Sequence, residues 1–204
     1  MQFIDLSVVV NENTPVYPGD PATKIVPAGV FEKDGWNDHY ISLGTHVGTH
    51  IDAPFHVIDG GKNLDQFPIE NFVGPGKLIK VENKTFDFEK VKQADIQAGD
   101  IVLFHTGQGD LYHEAEYLTD YPDMPEEIAN YLVAKKIKIV GMDMISPDHP
   151  PFNTHKILLG GGVLIIENLT NLAKLNGKKF RVYALPIKLQ LDAAPARVIA
   201  QIKE

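Results

Sequence analysis

The stretch that decides the fold and the site reads His46-Val47-Gly48-Thr49-His50-Ile51-Asp52-Ala53-Pro54-Phe55-His56. It places three histidines and one aspartate within eleven residues, all at even-numbered positions. Alternate residues of a strand share one face, so a strand would direct all four side chains to the same side. A helix is disfavoured by Gly48, the β-branched Thr49 and Pro54. The stretch therefore predicts a strand that gathers polar side chains into one site.

The spacing of the two first histidines shows that this strand cannot stay straight. At about 3.3 Å per residue, His46 and His50 would lie roughly 13 Å apart, near the limit at which two imidazoles reach one metal. Gly48 lies between them and has the conformational freedom to let the chain curl. Two histidines, a carboxylate and an open position are the usual pattern of a catalytic zinc site. His46, His50 and Asp52 are therefore predicted to bind a metal.

Length, net charge and the lack of cysteine limit the domain number, the partners and the metal ligands that this chain can have. The 204 residues suit a single domain, expected over residues 1–204, and the net charge of −8 argues against a nucleic-acid or anionic-membrane partner. The chain has no cysteine, so any metal must take histidine and carboxylate ligands. Residues 1–13 lack the basic start of a signal peptide, and no apolar run approaches the about 18 residues of a membrane span. We therefore expect a cytoplasmic protein.

The periodicity of apolar residues predicts many strands and few helices. Strands are predicted over residues 3–10, 24–31, 39–45, 77–81, 101–106, 137–141, 163–166, 180–185, 187–191 and 197–202. Helices are predicted over residues 88–98, from an N-cap at Asp123 to residue 136, and over residues 155–159 after a cap at Thr154. Residues 112–121 are expected to be solvated. This composition of elements predicts an α+β fold with a mixed sheet.

The pattern His-x-Gly-Thr-His-x-Asp-x-Pro-x-His resembles the signature of the cyclase-type metal-dependent hydrolases, which include bacterial kynurenine formamidases and isatin hydrolases. The resemblance implies a single swivelling β/β/α domain with a barrel-like sheet. It also covers residues 192–197 and a second ligand pair, a histidine with a glutamate twelve residues later, which His155 and Glu167 match. It implies two divalent ions, zinc with manganese as the alternative. One ion would be held by His46, His50, Asp52 and Glu167, and the other by Asp52, His155 and Glu167.

The resemblance implies an arylformamidase of tryptophan catabolism, which hydrolyses N-formyl-L-kynurenine to L-kynurenine and formate by attack of metal-bound hydroxide. His56 lies beside the ligands and is predicted to be the general acid and base. The local spacing would also allow His56 to be a metal ligand, but we prefer the acid and base role. Tyr17 matches an aromatic residue that lines the family's substrate pocket. Kynurenine formamidases often carry tryptophan at this position, whereas this chain has tyrosine. A cyclic amide such as isatin is therefore an alternative substrate. Family members are dimers or tetramers, and we expect a homo-oligomer.

Several alternatives depend on other residues. A non-catalytic metal-binding protein would have a closed metal site. The open ligand position and the additional histidine, His56, therefore disfavour that interpretation. His105 is expected to be neutral and hydrogen-bonded. Asp143 and Asp148 flank an Ile-Ser-Pro turn and are expected to be structural, with a possible part in shaping the site. Glycines 160–162 lack the phosphate-loop pattern and predict a tight turn that passes close to the site.

Overall fold

Ten strands and four α-helices make up the fold in the computed structural model, which describes residues 1–203. In chain order they are β1 (Gln2–Asp5), β2 (Lys24–Gly29), α1 (Phe31–Asp34), β3 (Asp38–Ser42), β4 (His50–Asp52), β5 (Val73–Lys80), α2 (Phe88–Gln93), β6 (Ile101–His105), α3 (Glu126–Ala134), β7 (Ile139–Met142), α4 (Asn153–Gly160), β8 (Leu164–Glu167), β9 (Phe180–Pro186) and β10 (Ala193–Ile202). None of these helices is long and apolar enough to cross a bilayer.

Eight of the strands form one sheet in the order β1-β10-β4-β8-β7-β6-β5-β9. Strand β9 also pairs with β10, so the sheet closes into a ring with β1 added beside β10. Neighbours from β5 through β8 are parallel, whereas the pairs made by β4, β9 and β10 are antiparallel. Closure pairs the backbone groups that an open sheet would leave at its edges. The predicted α+β fold with a mixed, barrel-like sheet is confirmed.

The two faces of the ring carry two separate apolar cores. On β6, Ile101 and Leu103 belong to the core inside the ring, whereas Val102 and Phe104 belong to the core under the helices. On β8 the same alternation puts Ile166 inside and Ile165 outside. Glu167 is two residues beyond Ile165 and therefore shares the outer face, towards α4.

Two segments depart from the sequence predictions. Residues 187–191 are not a strand, because the Leu189 N–H donates to the Ile187 carbonyl at 2.9 Å and closes a three-residue turn. Residues 112–121 are not simply solvated. One 3₁₀ turn precedes them (Gln108–Leu111) and another lies within them (Ala115–Leu118), and three of their aromatic rings pack into the core under the helices. These rings belong to Tyr112, Tyr117 and Tyr121. The apolar area of a tyrosine ring favours this burial.

The two predicted helix caps are also wrong. Helix α3 begins after Pro125, and the Asp123 carboxylate instead accepts hydrogen bonds from the backbone N–H and the ring of His149. Helix α4 begins one residue before Thr154, whose hydroxyl donates to the Met124 carbonyl at 2.8 Å. Asp123 therefore links the segment before α3 to the segment before α4, and Thr154 links α4 to the segment before α3.

Candidate metal centre

Strands β4 and β8 bring the two predicted ligand sets together. In their antiparallel register His50 lies directly opposite Glu167, and Asp52 lies opposite Ile165. His50, Asp52 and Glu167 are all at most 5% exposed. Helix α4 packs against β8 and places His155 Nε2 at 3.3 Å from Glu167 Oε1. Residues more than a hundred positions apart in the sequence thus share one buried cluster.

His46 reaches the same cluster from a turn before β4. Gly48 has a φ of +63°, and a Cβ there would lie 2.7 Å from a Val10 methyl group. Both the left-handed backbone and the lack of space therefore require glycine, and the predicted curl is confirmed. His46 Nδ1 comes within 2.9 Å of Asp52 Oδ1. His46 thus lies before the strand, and His56 lies beyond it, at the end of the 3₁₀ turn Pro54–His56.

The five predicted ligands form two overlapping groups with the spacing of metal ligands. His46, His50 and Asp52 make one group, and Asp52, His155 and Glu167 make the other. Within each group the candidate ligand atoms all lie within 4.8 Å of one another. Asp52 belongs to both, and its two carboxylate oxygens allow it to serve two ions.

Unpartnered buried atoms show that this cluster fits a cation. His50 Nε2, both Asp52 carboxylate oxygens and Glu167 Oε1 are buried and make no aligned hydrogen bond, although histidine nitrogens lie 2.9 Å from Asp52 Oδ1 and 3.3 Å from Glu167 Oε1. His50 Nε2 is 3.3 Å from both Asp52 Oδ1 and Glu167 Oε2. Two ligands on a tetrahedral zinc ion, with bonds of about 2.0–2.1 Å, are about 3.3 Å apart. Burying such atoms unpaired is costly, and a divalent ion between them would remove the cost.

The charges in the cluster favour the same conclusion. Burial alone would lower the pKa of His46 and of His155. Asp52 and Asp192 instead raise the pKa of His46 to about 9, and Asp148 and Glu167 raise that of His155 to about 10. Burial would raise the pKa of Asp52, but His50 and His46 hold it well below its usual value. The carboxylates therefore stabilise positive charge at the positions that a metal would share.

Outer contacts fix the rings of the buried histidines. His155 Nδ1 lies 2.5 Å from Asp148 Oδ1, whose other oxygen accepts the Thr154 N–H at 2.7 Å. His50 Nδ1 lies 2.8 Å from the Gly48 carbonyl. With Nδ1 used in this way, Nε2 of each ring faces the cluster, as in many metal sites. Asp148 thus contacts a ligand and helps to shape the site.

Asp192 contacts two of the predicted site residues, His46 and His56, although the sequence reasoning did not assign it a role. It directly precedes β10, whose Ala193 pairs with Asp52. Its Oδ2 lies 2.9 Å from His46 Nε2, and its Oδ1 accepts the Thr45 hydroxyl at 3.3 Å. The only sequence signal was its place at the start of the segment 192–197, because its partners are distant in the chain.

His56 stands beside the cluster and is partly open to solvent. Its ring centroid is 4.1 Å from that of His46 and 5.7 Å from that of His155. His56 Nδ1 is 3.6 Å from Asp192 Oδ2. Burial lowers the pKa of His56, so the ring is neutral at pH 7 and can accept a proton.

A cavity of about 420 Å³ opens onto His46, His56, His155 and Glu167. Its size is in the range of small-molecule sites. Tyr17 lies in its wall, and the Tyr17 and Phe152 rings meet edge to face with centroids 6.5 Å apart. Asp20 also lines the cavity, whereas within residues 1–203 no lysine or arginine does.

The remaining candidates lie outside the centre. Contrary to the prediction, His105 is not fully hydrogen-bonded, because its buried Nδ1 has no partner within residues 1–203. Asp143 has the expected structural role and accepts hydrogen bonds from Thr106 and Gly107. The predicted tight turn at glycines 160–162 lies between α4 and β8, and no ligand atom lies within 4 Å of a Cβ built on Gly160 or Gly162. A Cβ on Gly161 would instead lie 2.6 Å from the side chain of Val133 in α3.

Comparison with known proteins gives relatives along nearly the whole chain. An uncharacterized protein of Methanocaldococcus jannaschii is 37% identical over 98% of this chain and 99% of its own length. A kynurenine formamidase of Salinibacter ruber is 31% identical, and the match covers 98% of this chain and 97% of that enzyme.

Solved structures agree with these relatives. A structure described as a potential metal-dependent hydrolase with cyclase activity is 32% identical, with a TM-score of 0.84 over 100% of this chain and 98% of its own. An isatin hydrolase bound to the product analogue thioisatinate is 25% identical, with a TM-score of 0.90 over 99% and 93%. The sequence model of the family described as "Putative cyclase" matches residues 4–149. The chain therefore belongs to the cyclase family of metal-dependent hydrolases.

Proposed function

We propose that the protein hydrolyses the C–N bond of a small aromatic amide, with N-formyl-L-kynurenine as the leading substrate and L-kynurenine and formate as products. One observation carries the proposal. Two ligand groups that share Asp52 face a cavity walled by Tyr17 and Phe152, with an unassigned histidine at its side. The kynurenine formamidase of Salinibacter ruber, 31% identical over 98% of this chain, supports the choice of substrate.

In this proposal His46, His50, Asp52 and Glu167 hold one divalent ion, and Asp52, His155 and Glu167 hold a second. A His and carboxylate set suits zinc and also manganese. When bound, such ions lower the pKa of water and polarise a carbonyl oxygen. The orphaned atoms of His50, Asp52 and Glu167 support the assignment of these ligands.

His56 moves the proton that hydrolysis requires. Its Nδ1 faces Asp192, which leaves Nε2 for the substrate side. As a neutral base His56 takes a proton from the attacking water, and it returns that proton to the leaving nitrogen as the C–N bond breaks. Asp192 stabilises the protonated ring between these two steps and holds His46 at the same time. Tyr17 and Phe152 offer ring faces and edges to an aromatic substrate.

A cyclic amide such as isatin is the second candidate. The isatin hydrolase structure superposes with a TM-score of 0.90. The absence of lysine and arginine from the described cavity wall also favours an uncharged substrate, because the carboxylate of N-formyl-L-kynurenine would meet no cationic side chain. Asp20 favours the first candidate, since its carboxylate can receive the substrate ammonium group. A metal-binding protein without turnover is disfavoured, because an open cavity beside the ligands would then have no role.

We also propose that the chain forms a homodimer or homotetramer in the cytoplasm. The hairpin of β2 and β3 supports the assembly, because it lies outside the large sheet and exposes several large apolar side chains. They include Val26 (53% exposed), Phe31 (62%), Trp36 (52%), Tyr40 (67%) and Ile41 (54%). A lone two-stranded hairpin is marginally stable, and a second copy would cover this one. Light scattering on the purified protein would give the mass of the assembly.

The rate of hydrolysis tests the proposed reaction. Purified protein with added zinc or manganese would be assayed with N-formyl-L-kynurenine and, separately, with isatin. We expect a kcat/KM of at least about 10⁴ M⁻¹s⁻¹ for the formamide, together with loss of activity on chelation by EDTA and its recovery on adding metal. A high rate only with isatin would establish the second candidate. Metal-loaded protein inactive on both would contradict the proposed reaction.

A further inference from the structure

Asn168 follows the proposed ligand Glu167, and its side-chain amide lies on the Nδ1 side of the His50 ring, with Nδ2 3.5 Å from His50 Nδ1. It is 4% exposed and has a left-handed φ of +56°. Its Nδ2 donates to the Gly48 carbonyl at 3.0 Å, and its Oδ1 accepts the Tyr117 hydroxyl at 2.6 Å. The opposite amide orientation would set Oδ1 against the Gly48 carbonyl oxygen, so the two contacts define how the amide lies.

The Gly48 carbonyl is also the outer partner of His50. His50 Nδ1 lies 2.8 Å from this oxygen, which therefore receives both the His50 ring and the Asn168 amide. A second contact ties the same two segments together, because the Thr49 hydroxyl donates to the Asn168 backbone carbonyl at 2.6 Å. The turn that precedes His50 is thus held by both the side chain and the backbone of Asn168.

We infer that Asn168, oriented by Tyr117, is a positioning residue that fixes the Gly48 carbonyl and thereby the ring orientation and tautomer of His50. The inference rests on the proposed metal site and not on the identity of the substrate. Outer contacts of this kind hold ligating histidines ready for the metal. Tyr117 is fully buried, and burial raises its pKa well above the usual value, so its hydroxyl remains a donor.

Tyr112 supplies a matched control for Tyr117. The two rings pack edge to face with centroids 5.2 Å apart, but the buried Tyr112 hydroxyl has no hydrogen-bond partner in the described chain. Tyr117→Phe removes one hydroxyl and its bond to Asn168, whereas Tyr112→Phe removes a hydroxyl that bonds nothing. Metal-free proteins would be titrated with zinc in competition with a chromophoric chelator. We expect about 10-fold weaker zinc binding in Tyr117→Phe and wild-type binding in Tyr112→Phe.

A second readout separates positioning from general loss of stability. The visible absorption of the cobalt-loaded protein depends on ligand geometry, so its bands should change in Tyr117→Phe and not in Tyr112→Phe. Wild-type zinc affinity with an unchanged cobalt spectrum in Tyr117→Phe would overturn the inference alone. Failure of the wild-type protein to bind zinc would overturn the proposed metal site and the inference with it.

Asn168→Gly covers the case in which Tyr117→Phe does not fold. Glycine adopts a φ of +56° without strain, so this variant removes the amide and keeps the backbone. We expect zinc binding at least about 10-fold weaker than in the wild type. Unchanged zinc binding in Asn168→Gly would overturn the inference.

Discussion

The two sides of the candidate metal centre are built differently. On the ligand side, His50, Asp52 and Glu167 lie on directly paired strands and are at most 5% exposed. On the cavity side, Tyr17, His56 and Asp192 lie on loops or a short turn, and the side chains of His56 and Asp192 are 31% and 29% exposed. Sheet register fixes the first group, whereas loop sequence can change the second. Such a division would allow proteins of this fold to keep the same candidate ligands while the residues around the cavity change.

Replacing His56 should separate the two sides most clearly. His56→Ala is expected to lower kcat by about 10²–10⁴-fold, because it removes the proton carrier, and to leave the bound metal in place. Steady-state kinetics and elemental analysis of the same preparation would measure both. His113→Ala, at an exposed histidine remote from the cavity, serves as the control. Loss of metal from His56→Ala would move His56 to the ligand side.

The affinity of the ligand side for zinc should depend on pH. The pKa values of His46 and His155 are raised to about 9 and about 10 in the metal-free protein, but a metal needs both rings neutral. Zinc binding must then release protons, and the affinity should rise by up to about tenfold per pH unit for each proton released. Chelator competition at pH 6, 7 and 8 would show this trend. An affinity independent of pH would mean that these histidines are not ligands.

The thermal stability of the metal-free protein should fall as the pH rises, whereas its zinc affinity should increase. A raised pKa stabilises the fold fully below the unfolded value of about 6.5, and this contribution is lost as the pH rises through about 9 to 10. The melting temperature of the metal-free protein should therefore fall between pH 7 and 9. Zinc-loaded protein is the control and should change less.

Asp192 joins the two sides, and its loss should have an intermediate effect. Asp192→Asn keeps the shape but removes the charge that faces His46 and His56. We expect about a 10-fold loss of kcat with both ions retained, as for other outer partners of ligating histidines. An unchanged kcat would show that Asp192 only supports the loop.

Tyr17 should have the smallest effect, limited to recognition. Tyr17→Ala removes the ring that meets Phe152 and should raise KM several-fold with little change in kcat. Comparing the formamide with isatin in this variant would show which substrate uses the ring. A fall in kcat with unchanged KM would place Tyr17 in the chemistry instead.

Local sequence predicted His46, His50 and Asp52 as candidate ligands from their spacing, and Gly48 indicated the curl. The family resemblance added His155 and Glu167, and the structure brings all five side chains together. Local sequence did not predict Asp192 or the pairing of Asn168 with Tyr117, since each depends on contacts between distant parts of the chain. Residues 187–191 alternate like a strand, but a three-residue turn at Leu189 overrides that pattern. Spacing and the resemblance thus identified the candidate ligands, whereas tertiary pairing determined what holds them.

The number of zinc ions bound by Asp52→Ala tests the central claim most directly. Metal-free wild-type protein and the variant would be titrated with zinc, and Asp59→Ala, which changes an exposed carboxylate, would be the control. Because Asp52 belongs to both ligand groups, we expect two ions per wild-type chain and none bound tightly by Asp52→Ala. Full metal content in Asp52→Ala would contradict a centre built around a shared carboxylate.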